Sequence, residues 1–228
     1  MPEKPRVKAP TKRTTVDPEA SARKRRILFL VGGAGVALIA VVALVGLLGF
    51  GGGGPDEESV RADLVAAGCT LQAVDAQQGA HSLTPDQTAE WNTDPPTNGP
   101  HYGGNAATGD SGTVIWGAYT EPLQLARVIH NLEHGGVYIF YGDEVPDSAV
   151  EQLRAFYEDH RSGTLLAPLP RLGDQIAMGA WWAEGAAAKG YLAKCKAFDE
   201  KAFAAFFDAF QFRGPERFDP SQLQPGHG

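Results

Sequence analysis

Two histidines and a glutamate lie close together in the segment His130-Asn131-Leu132-Glu133-His134. On a helix, His130 and His134 are one turn apart and project in nearly the same direction, away from the apolar stripe. A pair of histidines at this spacing can hold one metal ion from a single helix. The letters H-x-x-E-H also match the inverted zinc-peptidase pattern. That pattern needs a longer helix, and the glycines at 135 and 136 end this one, so a peptidase is disfavoured.

A third histidine follows a rigid, proline-rich turn. His101 comes directly after Pro95-Pro96-Thr97-Asn98-Gly99-Pro100, which would hold its side chain in a defined place at low entropic cost. If that turn folds over the end of the helix, His101, His130 and His134 form a site of three imidazoles. Either His81 or Glu133 could supply a fourth ligand. Imidazole-rich sites suit Zn or Cu(II), so the sequence predicts a transition-metal site with one of these ions.

Two other functions remain open for the same residues. A histidine near a helix C-terminus interacts favourably with the helix dipole, and His101, Asn131 and Glu133 could form a buried hydrogen-bond network that is purely structural. The domain would then be a non-catalytic envelope interaction or assembly module. Alternatively, Glu133 could act as general base on a metal-bound water in a hydrolase. The sequence favours a protein without enzymatic activity and identifies no catalytic residue.

The elements that must position these residues are short and irregularly ordered. Apolar periodicity and turn residues predict an α+β domain with a small mixed or antiparallel sheet and three to four helices. A long polar loop spans 81–110, and loops of this length within a domain are often functional. The main predicted strands are Cys69–Asp75, Thr113–Tyr119, Val137–Tyr141 and Gln175–Trp182. The predicted helices include Glu121–His134, Ser148–His160 and one from Asp199 that carries a stripe of core phenylalanines at positions 203, 206, 207 and 210.

The chain has only two cysteines, Cys69 and Cys195. Outside the cytoplasm thiols tend to be oxidised, and two cysteines allow one intramolecular pairing. A structural disulfide is therefore predicted between the start of the domain and its last third. Neither cysteine belongs to a Cys-x-x-Cys pair, which disfavours a redox or copper-binding role.

A single membrane crossing is predicted before this domain. Residues 27–50 contain no charge, and as a helix they would extend about 36 Å, enough to cross a hydrocarbon core of about 30 Å. Residues 1–26 carry nine Lys or Arg and three Asp or Glu, so we expect a disordered basic tail in the cytoplasm. A Gly-rich tether at 51–55, an extracytoplasmic domain at 56–214 and a loose tail at 215–228 complete the predicted organisation.

The charge of the predicted extracytoplasmic part limits its partners. Residues 55–228 contain eleven basic and twenty-four acidic residues, a formal balance of −13. An acidic domain beyond a membrane argues against nucleic acid as a partner. The predicted contacts are the lipid bilayer, through one helix, and a protein partner that the sequence does not specify. The expected location is the cell membrane, with the N-terminus in the cytoplasm.

Three segments together resemble a known bacterial membrane-anchored family. Pro95–Tyr102 (PPTNGPHY), Trp116–Tyr119 (WGAY) and His130–Tyr141 (HNLEHGGVYIFY) are similar to motifs of the family called domain of unknown function 3105. The resemblance covers most of residues 56–218, with Asn98 where the family pattern leads us to expect Ser. It implies that the histidine-containing segments belong together. It implies no particular activity, because the family's name records that its function is unknown.

Overall fold

The computed structural model describes residues 56–228, which form an α+β domain with four helices and a six-stranded mixed sheet. The predicted fold class is thereby confirmed for this part of the chain. The helices are α1 (Glu57–Ala66), α2 (Leu125–Glu133), α3 (Asp147–Asp159) and α4 (Glu200–Phe210). The strands are β1 (Thr70–Asp75), β2 (Gly117–Ala118), β3 (Val137–Tyr141), β4 (Thr164–Pro168), β5 (Ile176–Glu184) and β6 (Ala187–Cys195).

The predicted membrane anchor cannot be compared with this structure. The basic tail at 1–26, the apolar segment at 27–50 and the tether at 51–55 all lie outside the described residues. Within residues 56–228, no helix has both the length and the apolar character needed to span a bilayer. Membrane anchorage and its orientation therefore stay predictions.

The strands are arranged in the order β1-β6-β5-β3-β4-β2. The pairs β1/β6, β6/β5 and β5/β3 are antiparallel, whereas β4 lies parallel to both β3 and β2. The antiparallel part includes the long hairpin of β5 and β6. The parallel connection from β3 to β4 runs through α3, as a crossover between parallel strands requires.

One side of the sheet, which we call the helical face, is covered by α1, α3 and α4. Alternate strand residues such as Ile139, Met178 and Ala193 point to this side and are fully buried. They pack against the phenylalanines of α4, of which Phe203 and Phe206 are fully buried. The phenylalanine stripe of α4 therefore lies in the hydrophobic core, as predicted. Burial of each such side chain contributes roughly 1.5–3 kcal/mol relative to leaving it exposed.

The opposite side, which we call the histidine face, is covered by α2 and by the long loop before it. Tyr138 and Phe140 point to this side and pack in the same cluster as Ile129 and Leu132 of α2. The proline-rich turn lies on the sheet beside them, and the Tyr138 hydroxyl donates a hydrogen bond to the carbonyl of Pro95 at 3.3 Å. The long polar loop at 81–110, which the sequence indicated as a candidate functional segment, thus forms part of the layer that covers this side of the sheet.

The strand expected at Thr113–Tyr119 is much shorter, because a side chain takes the place of a neighbouring strand. The backbone N–H of Val114 donates to Oδ1 of Asn131 at 2.8 Å, and Nδ2 of Asn131 donates to the Val114 carbonyl at 2.8 Å. This pairing joins the loop to α2 and leaves only Gly117–Ala118 in the sheet. Asn131 therefore has a structural role in the segment that also carries the candidate ligands.

The C-terminal segment and the disulfide both connect distant parts of the chain. Residues 215–228 were expected to be loose, but Leu223 is buried and accepts a backbone hydrogen bond from Gly163. A 3-10 turn at Pro220–Gln222 precedes it. Local sequence gave no sign of this docking, because its contacts are with residues far away along the chain. Cys69 and Cys195 are bonded as predicted, which links the start of β1 to the end of β6.

Candidate functional site

Four side chains converge on the histidine face. His81, His101, His130 and Glu133 each offer one ligand atom, and these four atoms all lie within 4.8 Å of one another. Ligands bonded to one ion at 2.0–2.1 Å in a tetrahedral site are about 3.3 Å apart. The largest separation in the group is wider than this, so the four side chains would have to draw together to hold one ion.

His101 is the most rigidly held member of the group. Its side chain is fully buried, and its Nδ1 lies 2.8 Å from the carbonyl oxygen of Gly99 in the proline-rich turn. A carbonyl only accepts hydrogen bonds, so Nδ1 carries a proton and donates it. The other ring nitrogen, Nε2, lies 3.0 Å from Oε2 of Glu133. Donation from the second ring nitrogen to a backbone carbonyl is the usual way in which a metal-binding histidine is oriented.

His81 approaches the same carboxylate oxygen from the solvent side. Its Nε2 lies 3.2 Å from Oε2 of Glu133, and 47 % of its side chain is exposed. It lies outside the helices and strands, in a short stretch that pairs with the backbone of His101. The backbone N–H of His101 donates to the Ala80 carbonyl, and that of Leu83 donates to the His101 carbonyl. This pairing brings two histidines twenty residues apart to the same oxygen atom.

The last turn of α2 supplies the other two members, and burial and charge shift the pKa of both. Burial, together with the charges of His134, His101 and His81, lowers the pKa of His130 to about 4, although the Glu133 carboxylate acts in the opposite direction. Burial by itself raises the pKa of Glu133, but hydrogen bonds that His101 and His81 donate when their Nε2 atoms carry protons outweigh it and lower that pKa to about 2. Near neutral pH the site therefore contains a carboxylate and a neutral imidazole from the same helix turn, both in forms that bind metal ions.

The contact between His101 and Glu133 requires a positive charge. With Nδ1 protonated, a neutral His101 directs the lone pair of Nε2 at a carboxylate oxygen only 3.0 Å away. Two acceptors at this distance repel each other unless a proton or a metal ion lies between them. The site also contains a buried polar atom without a partner. Nδ1 of His130 makes no hydrogen bond within residues 56–228. Both features fit a bound cation.

His134 lies beside the group and is not one of its four members. Its ring centroid is 4.6 Å from that of His130, its Nε2 is 3.5 Å from Oε2 of Glu216, and its ring packs on Phe218. Burial lowers the pKa of His134. It lines a surface cavity of about 520 Å³ together with Phe218 and Trp116. The assignment of His134 as a ligand stays a prediction.

Three glycines surround the site where no side chain would fit. A Cβ atom on Gly103 would lie 2.3–2.6 Å from ring and Cβ atoms of His81, and one on Gly112 would lie 2.7 Å from Nδ1 of His130. A Cβ atom on Gly79 would lie 2.9 Å from Oε1 of Glu133 and 2.6 Å from the ring of Trp181. The backbone thus approaches each of these side chains more closely than any other residue would allow.

A charged cluster holds the loop that carries two of these glycines. Arg127 of α2 donates to both carboxylate oxygens of Asp110, at 2.8 and 2.7 Å, and the Tyr102 hydroxyl donates to the same carboxylate at 3.1 Å. The guanidinium also lies over the Tyr102 ring, 4.6 Å from its centroid. The Arg127 hydrogen bonds hold the pKa of Asp110 well below its usual range. Paired hydrogen bonds of this kind fix the orientation of both partners.

All four members of the group are among the residues predicted from the sequence. His101 and His130 were predicted as ligands and lie in the group, as do the two candidates for a fourth position, His81 and Glu133. The contributions of Gly79, Gly103 and Gly112 were missed. A glycine has no chemical signature of its own, and only the tertiary structure reveals which atoms approach it.

Family comparison agrees with the resemblance noted from the motifs. The model of the family described as protein of unknown function DUF3105 matches residues 82–222. The chain belongs to this family. His101, His130 and Glu133 lie inside the matched region, and His81 lies one residue before it. No curated protein and no solved structure matches the chain.

Proposed function

We propose that this DUF3105 family member is a membrane-anchored extracytoplasmic protein that binds one transition-metal ion through His81, His101, His130 and Glu133. The observation that carries the proposal is the convergence of these four ligand atoms within 4.8 Å. Three imidazoles and one carboxylate form a ligand set that suits Zn or Cu(II). Calcium and magnesium prefer oxygen ligands, so they fit this set poorly.

The arrangement of hydrogen bonds supports the proposal beyond mere proximity. The Gly99 carbonyl fixes the His101 tautomer that leaves Nε2 free to bind a metal ion. The carboxylate of Glu133 remains charged, and Nε2 of His81 and Nε2 of His101 lie 3.2 and 3.0 Å from the same oxygen, Oε2. A divalent ion would separate these lone pairs and also provide a partner for His130.

The competing function keeps the same side chains without a metal ion. Protonation of His101 would convert its contact with Glu133 into an ion pair, and the group would then be a structural network in an interaction module. The two functions differ in one measurable respect. A metal site binds a stoichiometric ion with an affinity that depends on all four side chains, whereas a structural network does not.

The test is metal analysis of the full-length protein, purified without a polyhistidine tag. After chelation, Zn²⁺ and Cu²⁺ are added back separately, and bound metal is measured by mass spectrometry after gel filtration. We expect about one ion per chain in the wild type and strong loss in His101→Ala and in Glu133→Ala. His227→Ala is the matched control, because this exposed histidine lies outside the group.

Two outcomes would contradict the proposal. Substoichiometric metal in the wild type under all loading conditions would favour the structural network. Stoichiometric metal that persists in His101→Ala and Glu133→Ala would show that the ion binds elsewhere on the chain. His134→Ala, measured in the same series, decides whether His134 contributes as the sequence predicted.

A further inference from the structure

The four candidate ligands differ sharply in their exposure to solvent. The side chain of His101 is fully buried and that of Glu133 is 9 % exposed, whereas 47 % of the His81 side chain is exposed. His130 is 5 % exposed as a whole residue. An ion held by this group would be enclosed on three sides, and solvent would reach it past His81.

His81 also has the weakest attachment to the fold. His130 and Glu133 belong to α2, and His101 is fixed by Gly99 and by the turn that packs on the sheet. Among the residues that the structure describes, the His81 side chain makes one polar contact, with Glu133, and its ring lies against the backbone at Gly103. Within residues 56–228, displacing this ring would break one hydrogen bond, that to Glu133, and would separate it from the rings of His101 and His130, whose centroids lie 4.7 and 5.0 Å away.

We propose that His81 occupies an exchangeable coordination position, at which a small Lewis base from solvent, of about the size of one imidazole ring, can bind the metal ion. This inference rests on the proposed metal site and adds to it the direction of access. Sites that serve only to hold a fold are closed by protein ligands, whereas sites that act on small molecules keep a position accessible. With four protein ligands this group is closed, but replacement of the exposed His81 ring by a ligand from solvent would give it such an accessible position.

Chemical rescue by imidazole tests the inference, with Co²⁺ as the metal probe because its visible absorption reports its coordination. Changes to residues that only support a metal ligand typically weaken metal affinity by about tenfold or more. In full-length His81→Gly, which removes a ligand itself, we expect the Kd for Co²⁺ to rise by more than about tenfold. Added imidazole should restore most of the affinity and the wild-type spectrum. His101→Gly is the matched comparison, because its ring is buried and its loss also leaves the Gly99 carbonyl without a partner. We expect no rescue there.

A second pair of variants tests the same position while keeping His81. Gly103→Ala would place a methyl group 2.3–2.6 Å from atoms of His81, so the ring must move out of the site. We expect weaker Co²⁺ binding that imidazole partly restores. Ala106→Ser is the control on the same loop, because it also adds one atom but at an exposed position outside the group. Its Co²⁺ affinity should equal that of the wild type.

The outcomes separate this inference from the proposed function. If the wild type fails to bind Co²⁺, Zn²⁺ or Cu²⁺, the metal site itself is excluded. If the wild type binds Co²⁺ but imidazole rescues neither His81→Gly nor Gly103→Ala, the metal site stands and the exchangeable position is wrong. Equal rescue of His81→Gly and His101→Gly, or full Co²⁺ affinity in His81→Gly without imidazole, would likewise overturn it.

Discussion

The two faces of the sheet are built in opposite ways. The helical face is covered by three regular helices and contains a large cluster of buried apolar side chains. The histidine face is covered by one short helix and a long loop, and it holds most of the buried polar side chains, including His101, His130, Asn131 and Glu133. A buried polar group is tolerated only when it has a partner. The difference indicates that the helical face mainly stabilises the fold, whereas the histidine face also positions the four candidate ligands.

The largest expected effect is on the helical face. Phe203→Ala removes a fully buried ring from α4, which should lower the free energy of unfolding by about 3–5 kcal/mol. Denaturant unfolding followed by tryptophan fluorescence measures this change. Val65→Ala is the control, because 61 % of Val65 is exposed and its loss should be nearly neutral. Folded Phe203→Ala protein should bind metal as the wild type does; altered affinity would mean that the two faces are coupled.

A smaller loss of stability is expected on the histidine face from Asn131→Ala. The change removes two hydrogen bonds, to the N–H and to the carbonyl of Val114, at a net cost of roughly 1–3 kcal/mol. Denaturant unfolding again measures it, with the exposed Asn105→Ala as the comparison. Hydrogen exchange should rise at Val114 before it rises in β3. Unchanged exchange there would contradict the role assigned to Asn131.

Metal binding should stabilise the domain through the histidine face alone. At a free metal concentration of one hundred times Kd, binding to the native state contributes about 2.7 kcal/mol. Thermal unfolding of the wild type should therefore shift upward on adding Zn²⁺, whereas Glu133→Gln, which loses the carboxylate charge, should shift much less. Phe203→Ala should shift upward as the wild type does. A shift of equal size in Glu133→Gln would place the bound ion outside the group.

The smallest expected effect is the pH dependence contributed by Asp110. Its pKa in the folded protein is lowered by hydrogen bonds from Arg127, so its stabilising contribution is present above its unfolded pKa, near 4. That contribution is lost as the pH falls through the lower, folded pKa. Asp110→Asn should therefore make the acid limb of a stability–pH curve shallower. An acid limb identical to that of the wild type would show that the contact with Arg127 does not stabilise the loop.

The sequence by itself determined the elements whose signals are local. The 3.6-residue spacing of the phenylalanines predicted α4 and its buried side, and the two cysteines allowed only one pairing, which the structure contains. The α+β class followed from the same periodicities. These predictions succeeded because the residues concerned interact within one helix or have only one possible partner.

Only the tertiary structure decided the composition of the candidate site. His81 gave no local signal, and it joins His101 and Glu133 through a backbone pairing between loop segments that no periodicity encodes. His134, one helical turn from His130, lies instead beside Glu216 of the C-terminal segment. Helical spacing fixes the direction of a side chain relative to its own helix, but the contacts it makes depend on segments that arrive from elsewhere in the chain. The chemistry of the residues could be read from the sequence; their meeting at one carboxylate oxygen required the fold.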